Sequence, residues 1–291
     1  MKILEGKNTL ITGGGRGIGK AVALDFANAG ANVAVAARTL SELDQTVKEI
    51  EEYGVKGVSI QADLSTLDGV SKCAETFFKN FENCDVLVAN AGMTQVSTMV
   101  DYPLETAQKL FNLNILGTYA IIKHIIPNMI ERKHGKILIT SSVMGNVFFA
   151  PKKVAYATSK AAIAAMGKCL NAELKPYNIV VNSFTPAGVE TKMAEDLREW
   201  GQQMPITNPP EMLSPAYLYL ASDLPKKKYR GKIIEINWIC EALPVLKEEI
   251  GTKDIEKGEL SKIAEEKLKK HQYDVFRENT ELIDFMLKYE R

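Results

Sequence analysis

Short apolar runs alternating with longer amphipathic stretches constrain this chain more than any other feature. Seven runs have the length and residue types of strands, at 8–11, 32–36, 58–61, 85–89, 136–140, 179–184 and 232–236. Between them apolar residues recur at helical spacing over about 18–29, 41–53, 67–80, 104–132, 155–175 and 210–221. Pro127 is expected to bend the fourth helix or to open its last turn. Strands separated by helices pair in parallel through crossovers, so helices cover both faces of the sheet. The expectation is one doubly wound α/β domain over 1–240, with a seven-stranded parallel sheet and its ligand at the strands' carboxyl ends. Lys, Glu and Asp then dominate 247–291, with Leu and Ile at helical spacing and Pro244 marking a junction. Residues 241–291 read as a charged helical extension, either packed on its own subunit or reaching as an arm to a neighbour.

Charge and cysteine usage narrow the classes. The 36 basic residues balance 36 acidic ones, which gives no global electrostatic reason to expect nucleic acid or an anionic membrane as partner. Cys73, Cys84, Cys169 and Cys240 are scattered, and His124, His134 and His271 stand apart from them, so no metal site is expected. Reduced thiols, no membrane-length apolar stretch and no signal peptide before the first strand point to a cytoplasmic protein.

The first strand runs into Thr12-Gly13-Gly14-Gly15-Arg16-Gly17-Ile18-Gly19. Glycines between a strand and a helix allow a tight turn and close approach of backbone to phosphate, and free N–H groups at the helix start attract the anion. An NAD site normally carries an acidic residue at the end of the second strand. Here that run ends Ala37-Arg38-Thr39, with no carboxylate. Arg38 can fork a 2′-phosphate, and Arg16 can approach from the other side, so NADP (NADPH) is the expected cofactor. Asp63, beside Leu64, either accepts from the adenine amino group or, with Ser65, caps the next helix. Asn90-Ala91-Gly92 forms a small-residue turn that can lie beneath the cofactor ribose.

Tyr156 and Lys160 lie one helical turn apart on one face. A free phenol has a pKa near ~10 and is a poor acid at neutral pH. A nearby ammonium favours the phenolate and pulls the tyrosine toward working range. The serine pair Ser141-Ser142 lies upstream.

Thr12-Gly13-(x)3-Gly17-x-Gly19, Asn90-Ala91-Gly92, Asn114 with Gly117, Ser142, Tyr156-(x)3-Lys160 and Pro186…Thr191 occur in that order. Together they resemble the short-chain dehydrogenase/reductases, over roughly residues 5–240, and 3-oxoacyl reductase-like members in particular. The resemblance implies a Rossmann-type fold with Tyr156 as general acid/base. Lys160 would lower its pKa and hold the nicotinamide ribose, Ser142 would polarise the substrate carbonyl, and Asn114 would anchor a proton-relaying water. It also implies cofactor contacts from Gly13, Gly15, Arg16, Gly17, Ile18, Gly19, Arg38, Thr39, Asp63, Leu64, Asn90, Ala91, Gly92, Tyr156, Lys160, Pro186, Val189 and Thr191, and a homodimer or homotetramer. Ser142, not Ser141, matches the family's serine, because it precedes Val143-Met144-Gly145. Three departures stand out: Ala89 before Asn90, Ala187 where glycine is usual, and Asn237-Trp238-Ile239 in place of Asp-Gly-Gly at a common subunit contact.

The segment 192–210 falls where the family carries its variable substrate lid. Met193, Leu197, Trp200, Met204 and Ile206, with Phe148 and Phe149, are expected to line an apolar pocket for a small carbonyl or alcohol substrate. The leading expectation is an NADPH-dependent carbonyl reductase, acting on a ketone or a 3-oxoacyl thioester. An alternative is a dehydrogenase oxidising a secondary alcohol or polyol. A third reading is a dinucleotide-binding sensor or interaction subunit without catalysis.

Overall fold

The computed structural model describes residues 2–202, 207–250 and 257–289. Seven strands form one parallel sheet: β1 (Asn8–Thr12), β2 (Asn32–Ala37), β3 (Gly57–Gln61), β4 (Val86–Ala89), β5 (Gly135–Thr140), β6 (Ile179–Phe184) and β7 (Ile233–Ile234), in the order β3-β2-β1-β4-β5-β6-β7. The order reverses direction between β1 and β4, so loops after these two strands diverge and leave a crevice at the carboxyl edge. Register holds this edge level, with Thr12 opposite Ala36 on one side and Ile11 opposite Val88 on the other.

Side chains alternate across the sheet and sort into two cores. Ile11, Val33, Val35 and Val88 face one side, packing with Val22 and Phe26 of α1 (Gly17–Asn28) and Tyr217 of α8 (Pro210–Ala221). Leu10, Ala34, Ala36, Leu87 and Ile137 face the other, against Phe77 of α3 (Leu67–Asn80), Ile125 of α5 (Thr118–Arg132) and Ile163 of α6 (Val154–Leu174). Burial on both faces is why these strands read as near-continuous apolar runs.

The expected helix over 104–132 is α4 (Leu104–Phe111), a π-helical turn at Asn112–Gly117 and then α5. One extra residue in the turn swings Asn114 inward, where it is fully buried. The helix continues through Pro127 to Arg132.

The largest differences from expectation come at the C-terminal end. β7 spans two residues rather than five, because Ile236 already begins α9 (Ile236–Ile250). The expected boundary at 240 falls inside that helix, and Pro244 lies within it instead of at a junction. Further helices follow, α10 (Lys257–Lys267), α11 (Lys270–Glu278) and α12 (Thr280–Tyr289). Leu243, Leu246, Ala264, Phe276, Leu282, Ile283 and Met286 are buried in the same core as Phe26 and Tyr217. Of these helices α9 and α12 close over α8, while α10 and α11 pack on α9.

Candidate active site

The glycine turn, Arg38, Asp63, Asn90, Ser142 and Pro186 follow the carboxyl ends of the first six strands, which parallel pairing gathers at one edge; Asn114 lies in the π turn and Tyr156 and Lys160 on α6. Gly13 has φ +68° and donates its N–H to Ala36 O at 2.7 Å. A Cβ on Gly19 would lie 2.2 Å from Gly13 O, so only glycine lets α1 approach the turn this closely. The residue before α1, Arg16, is extended and offers no side-chain cap, which leaves the first N–H groups of that helix facing the crevice. Thr12 Oγ1 accepts from the N–H groups of Asn90 and Ala91, at 2.9 and 3.0 Å, tying the two divergent loops together. Asn90 spends its amide on Thr12 O, at 3.0 Å, inside the same tie. Leu64 is buried, its carbonyl packed against Gly117 of the π turn.

Sequence reasoning missed one residue of this half. No carboxylate ends β2, but Glu42, in the first turn of α2 (Leu40–Glu51), reaches back to Arg16, Oε1 lying 3.2 Å from Nη1. The start of α2 at Leu40 brings its first turn over the glycine loop, a contact that no local residue pattern marks. Arg38 and Thr39 are exposed beside it. Asp63 and Ser65 do not cap α3. Thr66 does, accepting from Gly69 N at 3.0 Å, while Asp63 Oδ1 accepts from Ser65 N and Oγ and so sits below the usual carboxylate range.

In the second half, Ser142 Oγ accepts from Met144 N at 3.1 Å. Ser141 faces elsewhere, donating to Lys160 O at 2.8 Å. Lys160 is buried and donates Nζ to Thr140 O at 2.8 Å, with Nζ 5.8 Å from the centre of the Tyr156 ring. Desolvation pulls the Lys160 ammonium down to about 8. Desolvation likewise raises the Tyr156 phenol, and the nearby Ser142 hydroxyl pulls it back only in part. That direction is opposite to the one expected from the Tyr-x-x-x-Lys spacing. The lysine is turned to a carbonyl, and burial penalises the phenolate more than the neighbouring charge favours it. Asn114 accepts from Met93 N at 2.9 Å and donates to Met93 O and to Ser159 Oγ, at 2.9 and 3.0 Å. It locks the loop after β4 onto α6. A further lysine, Lys153, is also buried near the Tyr156 ring, with Nζ 5.8 Å from its centre.

A family model for short chain dehydrogenases matches residues 7–202. The chain belongs to that family. It is 34% identical over 227 residues to the 3-oxoacyl-(acyl-carrier-protein) reductase FabG of Thermotoga maritima, covering 76% of this chain and 92% of the relative. A short chain dehydrogenase from Burkholderia cenocepacia in complex with NADP superposes with a TM-score of 0.72 at 25% identity, over 80% of this chain and 97% of that one. A 3-ketoacyl-(acyl-carrier-protein) reductase from Brucella melitensis complexed with NADH gives 0.72 at 26%, over 79% and 96%.

In this dehydrogenase Pro186 and Val189 are buried under the loop after β6, and Thr191 opens α7 (Lys192–Glu199), accepting from Ala194 N at 3.4 Å. Ala187 is exposed and outside the left-handed region, so the loop needs no glycine there. Glu190 clasps Arg198 through two 2.6 Å contacts and accepts from Thr207 Oγ1 at 2.6 Å, pinning the lid segment at its base. Of the expected apolar lining, Leu197 is buried, Met193 is half-buried, and Trp200, Phe148 and Phe149 are exposed. Met204 and Ile206 lie outside the described residues.

Proposed function

We propose that this dehydrogenase is an NADP(H)-dependent oxidoreductase that interconverts a ketone and a secondary alcohol, with Tyr156 as general acid/base. The observation that carries this reading is the placement of Ser142 and Tyr156 beside buried Lys160, at the edge where the glycine turn and the free end of α1 meet. The glycine turn, the uncapped helix start and the exposed pair Arg16 and Arg38 fit a dinucleotide with a 2′-phosphate. In that fit the glycine turn holds the pyrophosphate, Lys160 the nicotinamide ribose, and Thr191 the carboxamide. A bound nicotinamide supplies or accepts the hydride at the carbonyl carbon. Ser142 donates to the carbonyl oxygen and polarises it, and Tyr156 delivers the proton as alkoxide charge develops. Solved relatives hold NADP in one case and NADH in another, so the preference for NADP rests on Arg16 and Arg38. The FabG relatives support a 3-oxoacyl group as one substrate class.

The same proposal includes a cytoplasmic homodimer. Leu104, Leu116 and Tyr119, at 80%, 53% and 53% exposure, present an apolar face on the α4–α5 side, whereas α8 is covered by its own chain. That arrangement favours pairing through α4 and α5 over a tetramer through α8 and β7.

The test follows NADPH and NADH oxidation across 3-oxoacyl thioesters, diketones and cyclic ketones, beside Tyr156→Phe. NADPH-dependent turnover of one class is expected, falling about 10²–10⁴-fold in the variant with cofactor binding retained. Tight NADPH binding without turnover of any carbonyl compound refutes the catalytic reading.

A further inference from the structure

Lys153 is not needed by the chemistry above, yet it is set deliberately into the site. It is 5% exposed, and its Nζ has Thr94 Oγ1, at 3.3 Å, as its one hydrogen-bond partner among the described residues. Thr94 is itself buried, two residues beyond Gly92, so the amine is held between the loop after β4 and the Tyr156 ring. The preceding residue, Lys152, is exposed and has φ +63°, in the left-handed region. The turn it makes sends Lys152 outward and Lys153 inward, immediately before α6 begins. No Asp or Glu among the described residues forms an ion pair with Lys153, although an ammonium has three protons to place. A buried cation with one neutral acceptor is poorly compensated unless something else brings negative charge.

We propose that Lys153 is a specificity residue that binds the carboxylate of an oxo acid, one or two carbons from the carbonyl held by Ser142 and Tyr156. The proposal rests on the ketone–alcohol reading of the same site. The Tyr156 ring has two ammonium groups near it, those of Lys160 and Lys153, each 5.8 Å from the ring centre. Lys160 is bonded to Thr140 O, whereas Lys153 has its capacity largely unused. Desolvation lowers Lys153 to about 8, which marks how weakly its surroundings hold the charge. A carboxylate entering beside the carbonyl restores the missing partner as a charge-assisted hydrogen bond. A thioester or ester carbonyl offers only a neutral acceptor at the same place.

The experiment compares wild-type protein with Lys153→Met, which keeps length and removes charge. With NADPH present, 2-oxobutanoate and 3-oxobutanoate are run against their ethyl esters and against the N-acetylcysteamine thioester of 3-oxobutanoate. Calorimetry then measures 3-hydroxybutanoate binding to the NADPH complex, which cannot react. The wild type is expected to favour an acid over its ester by about tenfold or more in kcat/KM, as a charge-assisted contact implies. In Lys153→Met that preference vanishes through the KM of the acid, the ester loses far less than the acid, and 3-hydroxybutanoate binding is lost. Equal use of acid, ester and thioester by the wild type overturns the proposal, as does a uniform fall for all substrates in the variant. If nothing is turned over but 3-hydroxybutanoate binds the wild type and not the variant, the reductase reading fails while the assignment of Lys153 stands. Absence of both turnover and anion binding overturns it.

Discussion

Replacing Lys153 with methionine is expected to stabilise the free protein, and the structure sets the size of the gain. The drop from 10.5 to about 8 converts, at ~1.4 kcal/mol per tenfold, to about 3 kcal/mol at most against keeping the folded ammonium charged at neutral pH. Losing the Thr94 bond returns about 0.5–1.5 kcal/mol, and losing the contact with the Tyr156 ring about 0.5–1. The net expectation is about 1–2 kcal/mol, or a rise of several degrees in Tm at ~2–4 °C per kcal/mol. The pH dependence is more decisive. Between about 8 and 10.5 the unfolded chain binds a proton at this lysine that the folded chain does not, so the contribution of Lys153 to stability rises with pH across that window. Lys160, depressed to about 8, adds a similar rise, whereas Cys73, Cys84 and Cys240, raised by burial, act in the opposite direction above about 9 in both proteins. Calorimetric unfolding of both proteins at pH 7 and near pH 10 is the assay. The variant should be the more stable at pH 7, by a margin that shrinks toward pH 10. A variant less stable at pH 7, with an unchanged slope, would mean that Lys153 is already well paired in the free protein, and the reasoning would be wrong.

Two further substitutions probe other parts of the molecule. Glu42→Gln releases Arg16 from an exposed ion pair worth ~0.2–1 kcal/mol, so NADPH should bind about two- to fivefold more tightly by fluorescence titration while NADH changes little; equal gains for both would separate Arg16 from the 2′-phosphate. Phe276→Ala empties a fully enclosed position in α11 and should cost about 3–5 kcal/mol in a single cooperative transition that also unfolds the sheet. An early, separate transition with NADPH binding intact would show that the C-terminal helices form a unit of their own.

The sheet was legible because its strands are buried on both faces and its helices carry wide apolar stripes. The residues at the strand ends were legible for a related reason. In a parallel sheet, position after a strand is already position in the site, so Gly13, Asn90, Ser142 and Thr191 could be placed by counting. Contacts made across the turns were not legible. Glu42 meets Arg16 because a helix starts at Leu40, and Lys153 points inward because Lys152 takes a left-handed conformation that no local residue demands. The C-terminal extension was legible as helices from its Leu and Ile spacing, but not how it packs. Lys and Glu dominate the count, yet Leu246, Leu260, Leu268, Phe276 and Met286 form buried stripes that pack on this chain's own α8 and α9.

The raised phenol bears on the direction of the proposed reaction. Tyr156 keeps its proton at neutral pH because burial disfavours the phenolate. A protonated phenol donates to a carbonyl oxygen, whereas oxidation of an alcohol requires the phenolate to accept. A carboxylate seated on Lys153 adds a negative charge beside the ring and offsets a cation held by protein only through the Thr94 hydroxyl, raising the phenol further. An anionic substrate therefore reinforces the acid form that its own reduction needs. On the oxidative side a hydroxy acid places the same charge beside a group that must ionise. The arrangement of Lys153, Tyr156 and Lys160 thus ties substrate charge to direction: for an oxo acid it favours reduction at neutral pH, and the reverse rate should rise with pH until the phenol ionises.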